Sequence, residues 1–122
     1  MRNLKKQLMR FFTTGIIAVL TDSILYFILI EFLSIDLSKF ISFISGTVVA
    51  FLMNKFWTFE KKLIDFKEVI RFILLYSVSL LVNVLINHSI NDLFNEVVIA
   101  FLIATACSAS INFLGQKFWV FK

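Results

Sequence analysis

Two sets of residues in this chain have the types and spacing to do chemistry. The first is polar and lies inside long apolar runs: Asp22, Asn83 and Asn112. Asp22 follows Arg10 by twelve positions, and Asn83 follows Arg71 by twelve. On a helix rising ~1.5 Å per residue, both stand about 18 Å from their arginine. A charged Asp at the centre of a membrane helix costs at least about 2.5–3.5 kcal/mol on insertion scales. Such groups can line a path for sugar hydroxyls or relay a proton. They can also hold one helix against another by a hydrogen bond. Asn112, five residues before Lys117, raises the same alternatives.

The second set is cationic. Arg10, Lys55, Arg71 and Lys117 each mark one end of an apolar run, Asn54 adjoins Lys55, and Trp57 and Trp119 each follow a lysine by two residues. Cations between helices bind phosphorylated headgroups. The same cations set topology, and tryptophans anchor a chain at the membrane interface. The chain carries no metal-ligand cluster, no nucleophile beside a base and no nucleotide-binding motif. It is therefore expected not to be an enzyme, and to need no metal, cofactor or nucleic acid. His88, beside Asn87 at the far end of the third run, reads as an interfacial residue rather than a ligand.

The elements that must position these groups follow from composition. Of 122 residues, 60% are hydrophobic, with sixteen phenylalanines and no proline. A soluble domain is about 45–50% apolar. Mean hydropathy is +0.93, which makes lipid the expected solvent. A membrane helix needs about 20 mainly apolar residues. Four runs meet this: Phe11–Ile30, Leu37–Trp57, Val69–Ile90 and Val97–Trp119. Ser34 to Ser38 and Asn91 to Glu96 break the pairs, and Asp65 with Glu68 predicts a cap before the third helix. The first run is too long for a signal segment and contains Asp22, so it reads as a retained helix. Cys107 is a single cysteine inside a run and carries no disulfide information.

Phe51-Leu-Met-Asn-Lys-Phe-Trp-Thr-Phe59 returns as Phe113-Leu-Gly-Gln-Lys-Phe-Trp-Val-Phe121. Each copy closes a run, and the run before each begins with Arg-Phe (Arg10-Phe11, Arg71-Phe72). The expected fold is an all-α membrane protein of four transmembrane helices, built from two tandem two-helix repeats in parallel orientation. It forms one transmembrane domain over 1–122, with repeat one at 10–62 and repeat two at 71–122. Arg2, Lys5, Lys6, Arg10, Lys55, Lys61, Lys62, Lys67, Arg71, Lys117 and Lys122 fall on one side of the spans, and Lys39 alone on the other. The positive-inside rule makes both termini and the middle loop cytoplasmic. Small residues match between the copies: Ser42 with Ala104, Ser45 with Cys107, Gly46 with Ser108, Thr47 with Ala109. They predict a close-packed helix seam, and the same seam can support a homo-oligomer.

Taken together, the Arg10-Phe11…Gly15 start, Asp22, Asn54-Lys-Phe-Trp-Thr-Phe59, Arg71-Phe72, Asn112-Phe113 and Phe118-Trp119-Val-Phe121 resemble the GtrA-like family of small four-helix membrane proteins. The resemblance covers nearly the whole chain. It departs at Gln116-Lys117, where the family often has two basic residues and this chain has one cation. The resemblance implies a role in cell-surface polysaccharide synthesis. It implies movement of a polyprenyl-phosphate-linked sugar, such as undecaprenyl-phosphate-glucose, between leaflets of a bacterial or archaeal plasma membrane. In that reading Arg10, Lys55, Arg71, Lys117 and Asn54 hold the phosphate, and Asp22, Asn83 and Asn112 line the sugar's path. A second reading is a non-transporting subunit that anchors a glycosyltransferase and presents its lipid acceptor. A third, a small multidrug exporter with an acid in its first helix, fits poorly with so one-sided a charge distribution.

Overall fold

Where water is excluded, a single chain segment satisfies its backbone groups within itself only as a helix. The apolar runs, free of proline, fold that way. In the computed structural model, which describes residues 2–122, α1 spans Arg2–Leu29, α2 Ile35–Met53, α3 Phe66–Phe94 and α4 Val97–Gly115. A π-helical turn extends α2 over Asn54–Thr58, and another extends α4 over Gln116–Val120. All four helices are long and apolar enough to cross a membrane. Side chains such as Phe12, Phe27, Leu80 and Phe101 stand exposed along them, as lipid-facing residues do. The chain is a membrane protein with four candidate spans.

The helix limits differ from the sequence expectation in three ways. First, α1 begins at Arg2, so the basic segment holding Lys5 and Lys6 continues the helix instead of preceding it. Second, α2 and α4 do not end as α-helix at their tryptophans. Each widens into a π-turn that begins three residues before its tryptophan, at Asn54 and at Gln116. Third, α3 runs on through Asn91 and Asp92 to Phe94, past the expected break.

The caps follow the local residues. Ser34 accepts a hydrogen bond from the Leu37 amide (3.2 Å) and starts α2. Asp65 accepts from the Lys67 amide (3.1 Å) and starts α3. Asn95 closes α3 in the left-handed region, φ 53°, which asparagine tolerates better than most residues.

The chain divides after Lys62 into two compact units. In the first, α1 packs on α2. Ser38, Ser42, Gly46 and Ala50 recur every fourth residue along the buried face of α2. A Cβ on Gly46 would lie 2.8 Å from the Ala18 carbonyl oxygen and 3.2 Å from Asp22 Cβ. Only glycine permits so close an approach. In the second unit α3 packs on α4, whose buried face carries Ala100, Ala104 and Ser108. The Ser79 hydroxyl donates to the Ser108 carbonyl (3.1 Å) across this contact, and Gly115 abuts Leu75. Of the expected seam, Ser42, Gly46, Ala104 and Ser108 are buried, Ser45, Thr47 and Cys107 are half-buried, and Ala109 is exposed.

Candidate functional site

At the open end of the first unit, Arg10 reaches from α1 to the π-turn. Its Nη1 donates to the Trp57 carbonyl (2.7 Å) and to Glu60 Oε1 (3.1 Å), and its guanidinium lies 5.2 Å from the centre of the Trp57 ring. Lys6, one helical turn before Arg10, donates to the same Glu60 oxygen (3.0 Å). Glu60 adopts φ 54°, a left-handed conformation uncommon outside glycine. The hydrogen bond and charge of Lys6, with a further hydrogen bond from Arg10, hold its carboxyl below the ordinary value of 4.5.

The π-turn itself is tied from within. The Phe59 amide donates to the Asn54 carbonyl and the Lys61 amide to the Lys55 carbonyl, both at 2.8 Å. Thr58 Oγ1 donates to Asn54 Oδ1 (3.0 Å) and lies 3.4 Å from Thr14 Oγ1 on α1. Asn54, Lys55 and Thr58 are all buried, and Lys55 is fully enclosed. A π-turn is rare because it opens the helix and weakens its internal bonding. Here Arg10 satisfies the carbonyl of Trp57, while the hydroxyl of Thr58 engages the Asn54 side chain.

The second unit has the same outline with different fillings. Arg71 Nη1 approaches the Trp119 carbonyl at 3.5 Å, and the Phe121 amide donates to the Gln116 carbonyl at 2.8 Å. Lys117 is half-buried, its ammonium 5.9 Å from the Phe113 ring centre and 5.5 Å from that of Phe118. Aligning the two nine-residue segments places Val120 against Thr58, and aligning the Arg-Phe starts places Leu75 against Thr14. The two threonines of the first unit's ladder are thus apolar in the second, where the buried Gln116 keeps an amide at the position of Asn54. Lys122 aligns with Glu60, so Arg71 has no equivalent carboxylate.

At the turn end of the first unit, Asp22 meets Lys39. Both carboxylate oxygens lie 3.0 Å from the Lys39 ammonium, which also sits 5.6 Å from the Tyr26 ring centre. In the second unit Asn83 Nδ2 donates to Ser108 Oγ (2.9 Å), which in turn donates to the Thr105 carbonyl (3.2 Å). Asn112 is half-buried, and its Oδ1 meets no donor among the described residues. His88 and Asp92 pair at 3.2 Å on the exposed surface of α3. Trp57 and Trp119 are both partly exposed.

The structure therefore brings Arg10, Asn54, Lys55 and Trp57 to one end of the first unit, and Arg71, Lys117 and Trp119 to one end of the second. Asp22 and Asn83 lie further along their hairpins, each bonded across to the neighbouring helix. Sequence reasoning missed Glu60, Lys6, Thr14 and Thr58, and it missed Lys39 as the partner of Asp22. One signal for the last was available: Asp22 is the one acid deep in a span, and Lys39 is the one base beyond the opposite end. Among the described residues no group of three or more His, Cys, Asp or Glu is placed to hold a metal.

A family model described as "GtrA/DPMS, transmembrane domain" matches residues 10–121. The chain is 29% identical over 118 residues to "Uncharacterized membrane protein YngA" of Bacillus subtilis (strain 168), covering 95% of this chain and 80% of that protein. No solved structure matches the chain significantly.

Proposed function

Because the chain belongs to the GtrA/DPMS transmembrane-domain family, we propose that it moves a polyprenyl-phosphate-linked sugar across the membrane for glycosylation of a cell-surface polymer. Undecaprenyl-phosphate-glucose is the model cargo. The observation that carries this reading is the pair of rims. At each, an arginine meets the tryptophan carbonyl of a π-turn, Arg10 in the first unit and Arg71 in the second; the second rim adds the half-buried Lys117, whereas Lys55 is enclosed behind the first and lends it only its charge. A phosphate monoester or diester suits such a cationic rim. Polar side chains further along, Asp22, Asn83 and Asn112, offer hydrogen bonds to sugar hydroxyls that hydrocarbon cannot. The prenyl tail stays in lipid. The protein adds position and electrostatics, not bond chemistry.

In this reading the two hairpins are duplicates inserted the same way. The rims, both termini and the middle loop then face the cytoplasm of a bacterial or archaeal cell, as the one-sided basic residues require. The test is transfer of a labelled undecaprenyl-phosphate-sugar in reconstituted liposomes. Transfer above protein-free vesicles is expected, with Asp22→Ala inactive and Lys117→Ala weaker in lipid binding. No transfer, together with co-purification of a cytoplasmic glycosyltransferase that needs residues 60–71, would replace this reading with that of a membrane anchor.

A further inference from the structure

Lys39 stands apart from the other eleven basic residues, at the α1–α2 turn end. Four residues into α2, it lies about 6 Å along the axis from the helix start. Its side chain is 57% exposed, whereas that of its partner Asp22 is 18% exposed. The acid is thus the enclosed member of the pair and the lysine side chain the exposed one. A lysine stem is long enough to move its charge from this depth toward the headgroup level of a bilayer.

The pair is not needed to build such a hairpin. The aligned positions of the second unit hold Asn83 and Phe101. There the helices meet at Ser108 much as α1 meets α2 at Gly46. Two charges set into an apolar helix pair lose hydration that their attraction need not recover, and an uncharged pair avoids that cost. An exposed cation whose own carboxylate occupies two oxygen positions around it has a further use, because one anion can replace another there with no net change of charge at the ammonium.

We propose that Lys39 is an exchange site for a phosphate-bearing headgroup, with Asp22 as the built-in competing anion. The proposal rests on the carrier reading above and names the far-side station of the same route. Phosphate oxygens take the positions of the Asp22 oxygens on Lys39 Nζ, and return of Asp22 releases them. No covalent bond forms or breaks. Asp22 therefore weakens binding and promotes release, so neutralising it acts with opposite signs on affinity and on transfer.

The experiment uses the full chain in nanodiscs of a phosphate-free glycolipid, titrated with undecaprenyl phosphate and, separately, with inorganic phosphate. Binding is read from the 15N resonance of the Lys39 ammonium and from native mass spectrometry. Asp22→Asn is expected to tighten undecaprenyl phosphate binding about tenfold, ~1.4 kcal/mol, while slowing transfer. Adding Lys39→Phe is expected to erase the gain, and adding Lys39→Arg to keep it. Both Asp22→Asn and Lys39→Phe copy residue types that the second hairpin holds at the aligned positions, so folding is expected to survive. Unchanged affinity in Asp22→Asn, or a gain that persists without Lys39, overturns the site. A gain for inorganic phosphate but not for the lipid overturns the headgroup as its ligand. Wild-type protein that transfers labelled lipid while Asp22→Asn binds no tighter rejects the exchange site alone. Wild-type protein that neither binds nor transfers the lipid rejects the carrier reading itself.

Discussion

Replacing Gly46 by alanine tests the helix contact on which the Asp22–Lys39 pair depends. The new Cβ would stand 2.8 Å from the Ala18 carbonyl oxygen, 0.6 Å inside the 3.4 Å at which ordinary contact begins. The obstacle is backbone, so no side chain can rotate away. Asp22 Cβ, at 3.2 Å, closes a second direction. The helices must part by a few tenths of an ångström at the level of Asp22. Overpacking of this kind costs about 1–3 kcal/mol, of which the helical preference for alanine returns roughly 0.5–1 kcal/mol. Gly15 is the control: a Cβ there meets nothing within 4 Å, and alanine in a helix is favoured over glycine by roughly 0.5–1 kcal/mol. Gly46→Ala is thus expected to lower the thermal midpoint of the detergent-solubilised protein, and Gly15→Ala to leave it unchanged or raise it. The same substitution then has opposite signs at two positions in one hairpin. Equal effects of the two, or a Gly46→Ala protein as stable as wild type, would refute the account of a backbone-limited seam.

Further expectations concern the rim and the topology. Because the folded pKa of Glu60 is depressed below 4.5, the stability it contributes is full above that value and is lost as pH falls through the folded pKa. Trp57 fluorescence, which senses the Arg10 contact, should therefore hold steady above 4.5 and change only as the pH falls below it, and Glu60→Gln should remove that transition. Thr58→Val removes the donor to Asn54 Oδ1 from a buried site and is expected to cost about 1 kcal/mol in chemical unfolding. Thr13→Val, whose hydroxyl bonds only its own helix on an exposed face, should stay within about 0.5 kcal/mol, and equal losses would remove the ladder's significance. Single cysteines at positions 61 and 122 should react with an impermeant thiol reagent from the same side of the membrane. Labelling from opposite sides would overturn the proposed orientation.

Much of the fold was legible along the chain, because the membrane constrains local sequence so strongly. Twenty apolar residues without proline can satisfy their backbone in lipid only by coiling, so the four spans could be read from hydropathy alone. Asp65 announced the start of α3 because its side chain bonds an amide two residues on, while Ser34, read only as part of a break, caps α2. Of the eight matched small residues, Ser42, Gly46, Ala104 and Ser108 fall on the buried faces, four positions apart as helix geometry sets, while Ser45, Thr47, Cys107 and Ala109 do not. The Lys-Phe-Trp segments likewise pointed to two similar helix ends.

What tertiary structure alone decided was which polar groups meet. Lys39 finds Asp22 across a helical turn, seventeen positions away, and Arg10 finds the Trp57 carbonyl at a separation of forty-seven. Neither distance has a sequence period, because both depend on how the two helices are rotated about their axes. The π-turns were hidden for a related reason. The residues Asn54 to Thr58 carry no local signal for a wider turn, and that turn stands in a helix end met by Arg10 and Thr14 of α1. Sequence determined where the chain meets lipid, since burial in hydrocarbon is a property of each segment. Partnership between charges is a property of pairs, and only the folded hairpin brings those pairs together.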